Sequence, residues 1–136
     1  MLAELPVGSF RVFPSIRADM SEFTQADRDW CATAHAHFAI VHGDPRNPKT
    51  PALIEQLSDT LQGGFLVGGL TSSRGAHAQI AGKLTEGGVS GVLFSDTVAV
   101  TTALTQGCTP LGSKHEITEC QDNIAIKLDG RPALEV

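Results

Sequence analysis

"GGFLVGGLTSSRG", residues 63–75, places five glycines in thirteen positions around a short apolar core. Glycine costs backbone entropy and packs no side chain, so such density demands a conformational reason. Three reasons compete: a phosphate cradle, a backbone edge that meets a ligand, or a strand squeezed between turns. A Walker loop requires G-x-x-x-x-G-K-[ST], but six residues separate Gly75 from Gly82-Lys83, and Leu84 replaces the magnesium-binding hydroxyl. The dinucleotide pattern G-x-G-x-x-G is missing as well. Phe65-Leu66-Val67 therefore reads as a buried strand running into a Gly68-Gly69 turn. Backbone N–H groups there, with Thr71, Ser72, Ser73 and Arg74, could meet a small anion.

The segments on either side build outward from this strand. Ser9 to Phe13 alternates as a strand that Pro14 stops. Thr24-x-x-Asp27 is a helix-capping pattern, and a helix over 25–36 would place Ala26, Trp30, Ala34 and His37 near one face. Phe38 to Val41 reads as a buried strand ending in the Gly43-Asp44-Pro45 turn. Thr50-Pro51 opens a second helix with Leu53, Ile54, Leu57 and Leu61 as its apolar stripe. Strand, helix, strand predicts a parallel βαβ unit in the first half. In the second half, Gln79–Gly82 and Val89–Phe94 read as a hairpin. "TVAVTTALTQG" reads as a strand with one bulky and one hydroxyl-bearing face. Residues 124–128 read as another strand, with Ile124, Ile126 and Leu128 inward. The fold class is thus mixed α/β: one mixed sheet, βαβ first and antiparallel strands later, with helices packed on it. Gly130 to Glu135 reads as a turn and a helix start with Pro132 in its first turn. A helix this short has no stability alone, so the chain is expected to be a fragment of a larger domain.

Composition narrows the function. The 136 residues carry a formal charge of -5 with only ten Lys and Arg, and Tyr is absent. Neither a basic stripe nor a base-stacking platform is present, which argues against nucleic acid or an anionic membrane as partner. No apolar run approaches the ~20 residues of a membrane helix, and the N-terminus lacks a signal-peptide pattern, so a cytoplasmic setting is expected. Cys31, Cys108 and Cys120 lack C-x-x-C spacing and read as buried, reduced thiols. His35, His37, His42, His77 and His115 show no zinc spacing, although one of them could ligate a cofactor. Cys108 in "TQGCTPLG" could be a nucleophile with Gln106 and glycine N–H groups as an oxyanion hole, but no base is identifiable.

Taken together, "FLVGGLTSS", "GVSGVLFSDTVAVTTALTQGCTPLG" and "HEITECQDNIAIKLDGRPALEV" resemble, in order and spacing, the N-terminal part of the FIST domain. The pattern positions are Gly68, Gly69, Gln106, Gly107, Cys108, Pro110, Gly112, Thr118, Asp129, Gly130 and Pro132. The resemblance implies a sensory module of a signal-transduction protein and not an enzyme. Its implied ligand is a small molecule, with amino acids proposed and haem reported for some members. Its implied partners are a C-terminal FIST half, absent from residues 1–136, and a signalling output module. Gly68, Gly69, Thr71, Ser72, Gln106, Gly107, Cys108 and Thr118 are the expected ligand-binding residues, where the Gly68-Gly69 loop meets Gln106–Cys108. Three alternatives stand beside this: a haem-binding gas sensor using a histidine, a cysteine-dependent enzyme using Cys108, and a ligand-free interaction scaffold.

Overall fold

The computed structural model of the protein describes residues 4–61, 63–103, 105, 107, 109 and 112–136. The chain divides into two compact units, residues 1–101 and 102–136. The first holds a four-stranded sheet in the order β1-β6-β2-β3. These strands are β1 (Phe10–Ile16), β2 (Phe38–Gly43), β3 (Phe65–Leu70) and β6 (Val89–Phe94). The helices are α1 (Gln25–Thr33) and α2 (Thr50–Asp59). The expected βαβ unit is present: β2 and β3 run parallel through α2, from Phe38 opposite Phe65 to Gly43 opposite Leu70. Strand β6 then inserts antiparallel between β1 and β2.

Alternation decides what each face of this sheet does. Ala39, Val41, Val89 and Leu93 point to one side, where they form a single buried core with Phe13, Cys31 of α1, and Leu53 and Leu57 of α2. Both helices therefore cover the same face. Phe13 and Phe23 meet edge to face with ring centroids 5.8 Å apart, a favoured aromatic geometry. The other face carries Phe10, Val12, Ile40 and Phe65, all more than a third exposed, while Phe38 is held between the Phe65 and Phe94 rings.

Helix α1 starts where the capping pattern placed it. Thr24 Oγ1 accepts from Asp27 N, and the Asp27 carboxylate accepts from Thr24 N. The helix ends at Thr33, short of 36, and its buried face is Asp27 and Cys31, with Ala26 exposed. Burial alone pushes the Asp27 carboxyl up. The Thr24 hydroxyl, the Arg11 guanidinium 2.5 Å away and the Thr24 N–H outweigh it and hold the pKa below its usual value. The bond to Arg11 of β1 rotates the helix onto Asp27, which a purely apolar stripe does not foresee. Strand β1 runs through Pro14 to Ile16 because it is an edge strand. Its register shifts between Phe13 and Ile16, where a missing N–H breaks no ladder.

Three further expectations are corrected. Gly68 and Gly69 do not form a turn: they continue β3, opposite Val41 and His42. Gln79–Gly82 does not pair with Val89–Phe94. Instead β4 (Gln79–Ile80) forms a small hairpin with β5 (Leu84–Thr85), which frees β6 to enter the main sheet. The segment 97–103 is not a strand despite its alternation. Leu104 and Gln106, at the end of that reading, lie outside the described residues.

The second unit is a three-stranded antiparallel meander of β7 (Ile117–Gln121), β8 (Ile124–Leu128) and β9 (Arg131–Pro132). Ile124 and Ile126, expected to point inward, are exposed. The expected helix start is a two-residue strand followed by a single 3₁₀ turn over Ala133–Glu135, so Pro132 precedes the turn and pairs with Lys127.

The two glycines of β3 differ sharply in what they permit. A Cβ on Gly68 would run into the Val41 carbonyl oxygen, whereas one on Gly69 would meet open space. Gly68→Ala is expected to cost about 1–3 kcal/mol by forcing β2 and β3 apart. Gly69→Ala should change stability by no more than about 0.5 kcal/mol. Urea unfolding of the two variants checks this.

Candidate functional site

At the carboxyl end of β2 the chain turns through Gly43-Asp44-Pro45, and Asp44 is buried there with 1% exposure. A buried carboxylate must be paired and hydrogen-bonded. Asp44 accepts from Arg46 Nη2 at 2.9 Å, Arg46 N at 2.9 Å and Gly87 N at 3.2 Å. Its own N–H donates to Gly88 O, and its carbonyl accepts from the Thr50 hydroxyl. One residue thus joins β2, the start of α2 and the approach to β6. The side-chain bonds from Arg46, despite the opposing effect of burial, lower its pKa from 3.8 to about 2.

A second polar lock lies next to it. Ser90 Oγ donates to Gln79 Oε1 at 2.5 Å, and Gln79 Nε2 donates to Gly88 O at 3.0 Å. Gln79 and Ser90 are both buried. This pair bolts the β4–β5 hairpin to the sheet. The hairpin turns through Ala81 and Gly82, whose φ of +73° suits glycine.

Beneath that turn, on the sheet face opposite the helices, is a half-enclosed recess of about 340 Å³. Phe10, Val12, Ile40, Val92 and Phe94 form its floor and walls, and Ile80, Ala81 and Gly82 its roof. Its two polar side chains are His42 and Ser90, which face each other across the β2–β6 register. Among the described residues the His42 ring has no protein hydrogen-bond partner, whereas the Ser90 proton is used on Gln79. The volume and lining fall within the range of small-molecule sites, which are mainly apolar with a few placed polar groups.

The expected site residues are spread over both units, and some of them lie outside the described residues. Gly68 and Gly69 lie in β3, Gly69 beside His42 in register. Thr71 follows the strand, and its hydroxyl is engaged with Gly43 O and His77 Nδ1. Ser72 is exposed, as is Gly107, which lies in no regular element. Gln106 and Cys108, and with them the oxyanion-hole reading, lie outside the described residues, as does Pro110. Thr118 belongs to the second unit, where its hydroxyl accepts from Gly130 N at 2.9 Å and closes the β8–β9 turn. Beside it Asp129 accepts from Glu116 N and His115 Nδ1. The residues missed from sequence are His42, Gln79 and Ser90. His42 was legible as the next position on the Phe38–Ile40 face, but its role depends on a hairpin the sequence paired wrongly.

Among the described residues no three His, Cys, Asp or Glu side chains cluster as a metal site, and no helix is long and apolar enough to cross a membrane. Of the five histidines, His42 is the one that lines the recess. Of the cysteines that are described, Cys31 is buried in the core, where burial pushes its thiol pKa up, and Cys120 is exposed.

Asp44 yields a prediction with a definite sign. Its folded pKa lies below its unfolded value, so its stabilisation is complete above about pH 4 and lost as pH falls towards 2. Asp44→Asn should lower the melting temperature at pH 7 and make the melting temperature fall less steeply between pH 4 and 2. Calorimetry across that range measures both effects.

The chain matches the family model of the FIST N domain over residues 3–131. No curated protein and no solved structure matches it. The match covers nearly the whole chain and agrees with the order of motifs that runs from Gly68-Gly69 to Leu128-Asp129-Gly130. The protein belongs to the FIST N domain family, a family of sensory domains associated with signal transduction.

Proposed function

We propose that this domain senses a small molecule bound in the recess between the β4–β5 hairpin and the open face of the sheet. One observation carries the reading: an apolar concavity roofed by its own chain, with His42 at one end and without a hydrogen-bond partner among the described residues. A ligand there touches β1, β2 and β6 below and the hairpin above. The hairpin is held by the Gln79–Ser90 lock, so a ligand that fits only one hairpin position biases that lock. Such a shift is what a sensory domain can pass on, and the C-terminal FIST half and an output module are the partners it would reach in a cytoplasmic signalling protein.

The test is a thermal-shift screen of small molecules on the chain of residues 1–136. Binders should raise the melting temperature, by the equivalent of about 2.7 kcal/mol at a hundredfold excess over Kd. Ile40→Trp, at a position already partly exposed, fills the recess and should abolish every such shift while the far-UV circular dichroism stays unchanged. Binders whose effect survives Ile40→Trp would place the site elsewhere.

A further inference from the structure

Resting on that reading, we infer that the recess takes a neutral, mainly apolar molecule with a single hydrogen-bonding end, of the phenol or simple alcohol type. The reasoning starts from charge. No Asp, Glu, Lys or Arg side chain lines the recess. Moving an ionised group out of water is costly unless an opposite charge or several hydrogen bonds receive it. The floor's backbone does not supply those bonds, because β2 and β6 lie inside the sheet and their N–H and C=O groups are spent on neighbours on both sides, and in the roof the Ala81 N–H is spent on Lys83 O. Lys83, the nearest basic residue of the hairpin, is exposed beyond the turn and is not part of the lining.

What the lining does supply is one place for a polar atom. Ser90 has given its proton to Gln79, so its oxygen can only accept. The neutral His42 ring offers one donor and one acceptor nitrogen. A hydroxyl, which donates once and accepts twice, matches this pair in number and kind. The ligand body then lies over Val12, Ile40 and Val92, with the Phe10 and Phe94 rings at the end away from His42. A free amino acid presents two charges to the same lining and finds a partner for neither, so it is the wrong class for this recess even where its side chain fits.

Titrating residues 1–136 with p-cresol, 4-methylbenzoate and phenylalanine by calorimetry and by NMR at pH 7.5 tests the inference. The three probes carry similar aromatic bodies and differ in charge. The expected result is that p-cresol binds at least tenfold more tightly than either charged probe and shifts the His42 ring resonances. His42→Ala should weaken p-cresol about three- to tenfold, with His42→Gln, which keeps a donor and an acceptor, recovering most of the loss. Phenylalanine or 4-methylbenzoate binding as tightly as p-cresol, with the binding lost in Ile40→Trp, overturns the ligand class but leaves the recess as the site. No p-cresol binding by natively folded protein overturns the inference as well. The wider screen against Ile40→Trp then shows separately whether the recess is a site at all.

Discussion

The Asp44 carboxylate is the interaction on which the first unit is built. It is charged, buried and placed where β2 must hand the chain to α2 and where β6 begins. Its partners come from two directions, Arg46 from its own turn and Gly87 from the strand approach, while the Asp44 backbone carbonyl takes the Thr50 hydroxyl from the helix start. An apolar residue could fill the space but could not collect N–H groups that would otherwise be buried without acceptors. Because Gly87 and Gly88 are fixed there, the Gln79 amide has a carbonyl to grip. The hairpin and the recess beneath it follow from that anchoring.

Local patterns made the α/β half readable. The Thr24/Asp27 cap, Pro51 in the first turn of α2 and the apolar run from Phe38 are signals whose physics lies within a few residues, and each element sits where its signal lies. Readings failed where the deciding partner was distant in sequence. Nothing near Val89 says that β6 will insert between β1 and β2, and its neighbour in sequence, β4, pairs instead with β5. The alternation of residues 97–103 is that of a strand, yet a strand also needs an edge to pair with, and pattern alone does not provide one. Gly68, expected in a turn that meets a ligand, instead lies within β3, where the group that approaches it is the Val41 backbone of the neighbouring strand.

The candidate site was less legible for the same reason. Of the positions the FIST resemblance singles out, three do turn work, since Thr118 and Gly130 bond each other and Asp129 caps the end of β8, whereas Gly68 and Gly69 continue β3. The recess is made of ordinary valine, isoleucine and phenylalanine side chains on the uncovered face of the sheet, types that sequence reading assigns to a core. What distinguishes them is exposure, a property of the assembled sheet. His42 becomes notable only when Ser90 is found opposite it.

The central position of β6 also sets an order of assembly. Strands β2 and β3 and the helix between them close through local contacts, whereas β1 pairs with β6 from Phe10 opposite Phe94 to Ile16 opposite Val89, across most of the unit. Loop-closure entropy makes such pairing late and slow. Until β6 arrives, β1 and β2 lack their shared neighbour, and the recess floor does not exist. During synthesis the βαβ core can therefore form before the strand that completes the open face, and the recess arrives as the last event in the folding of this unit.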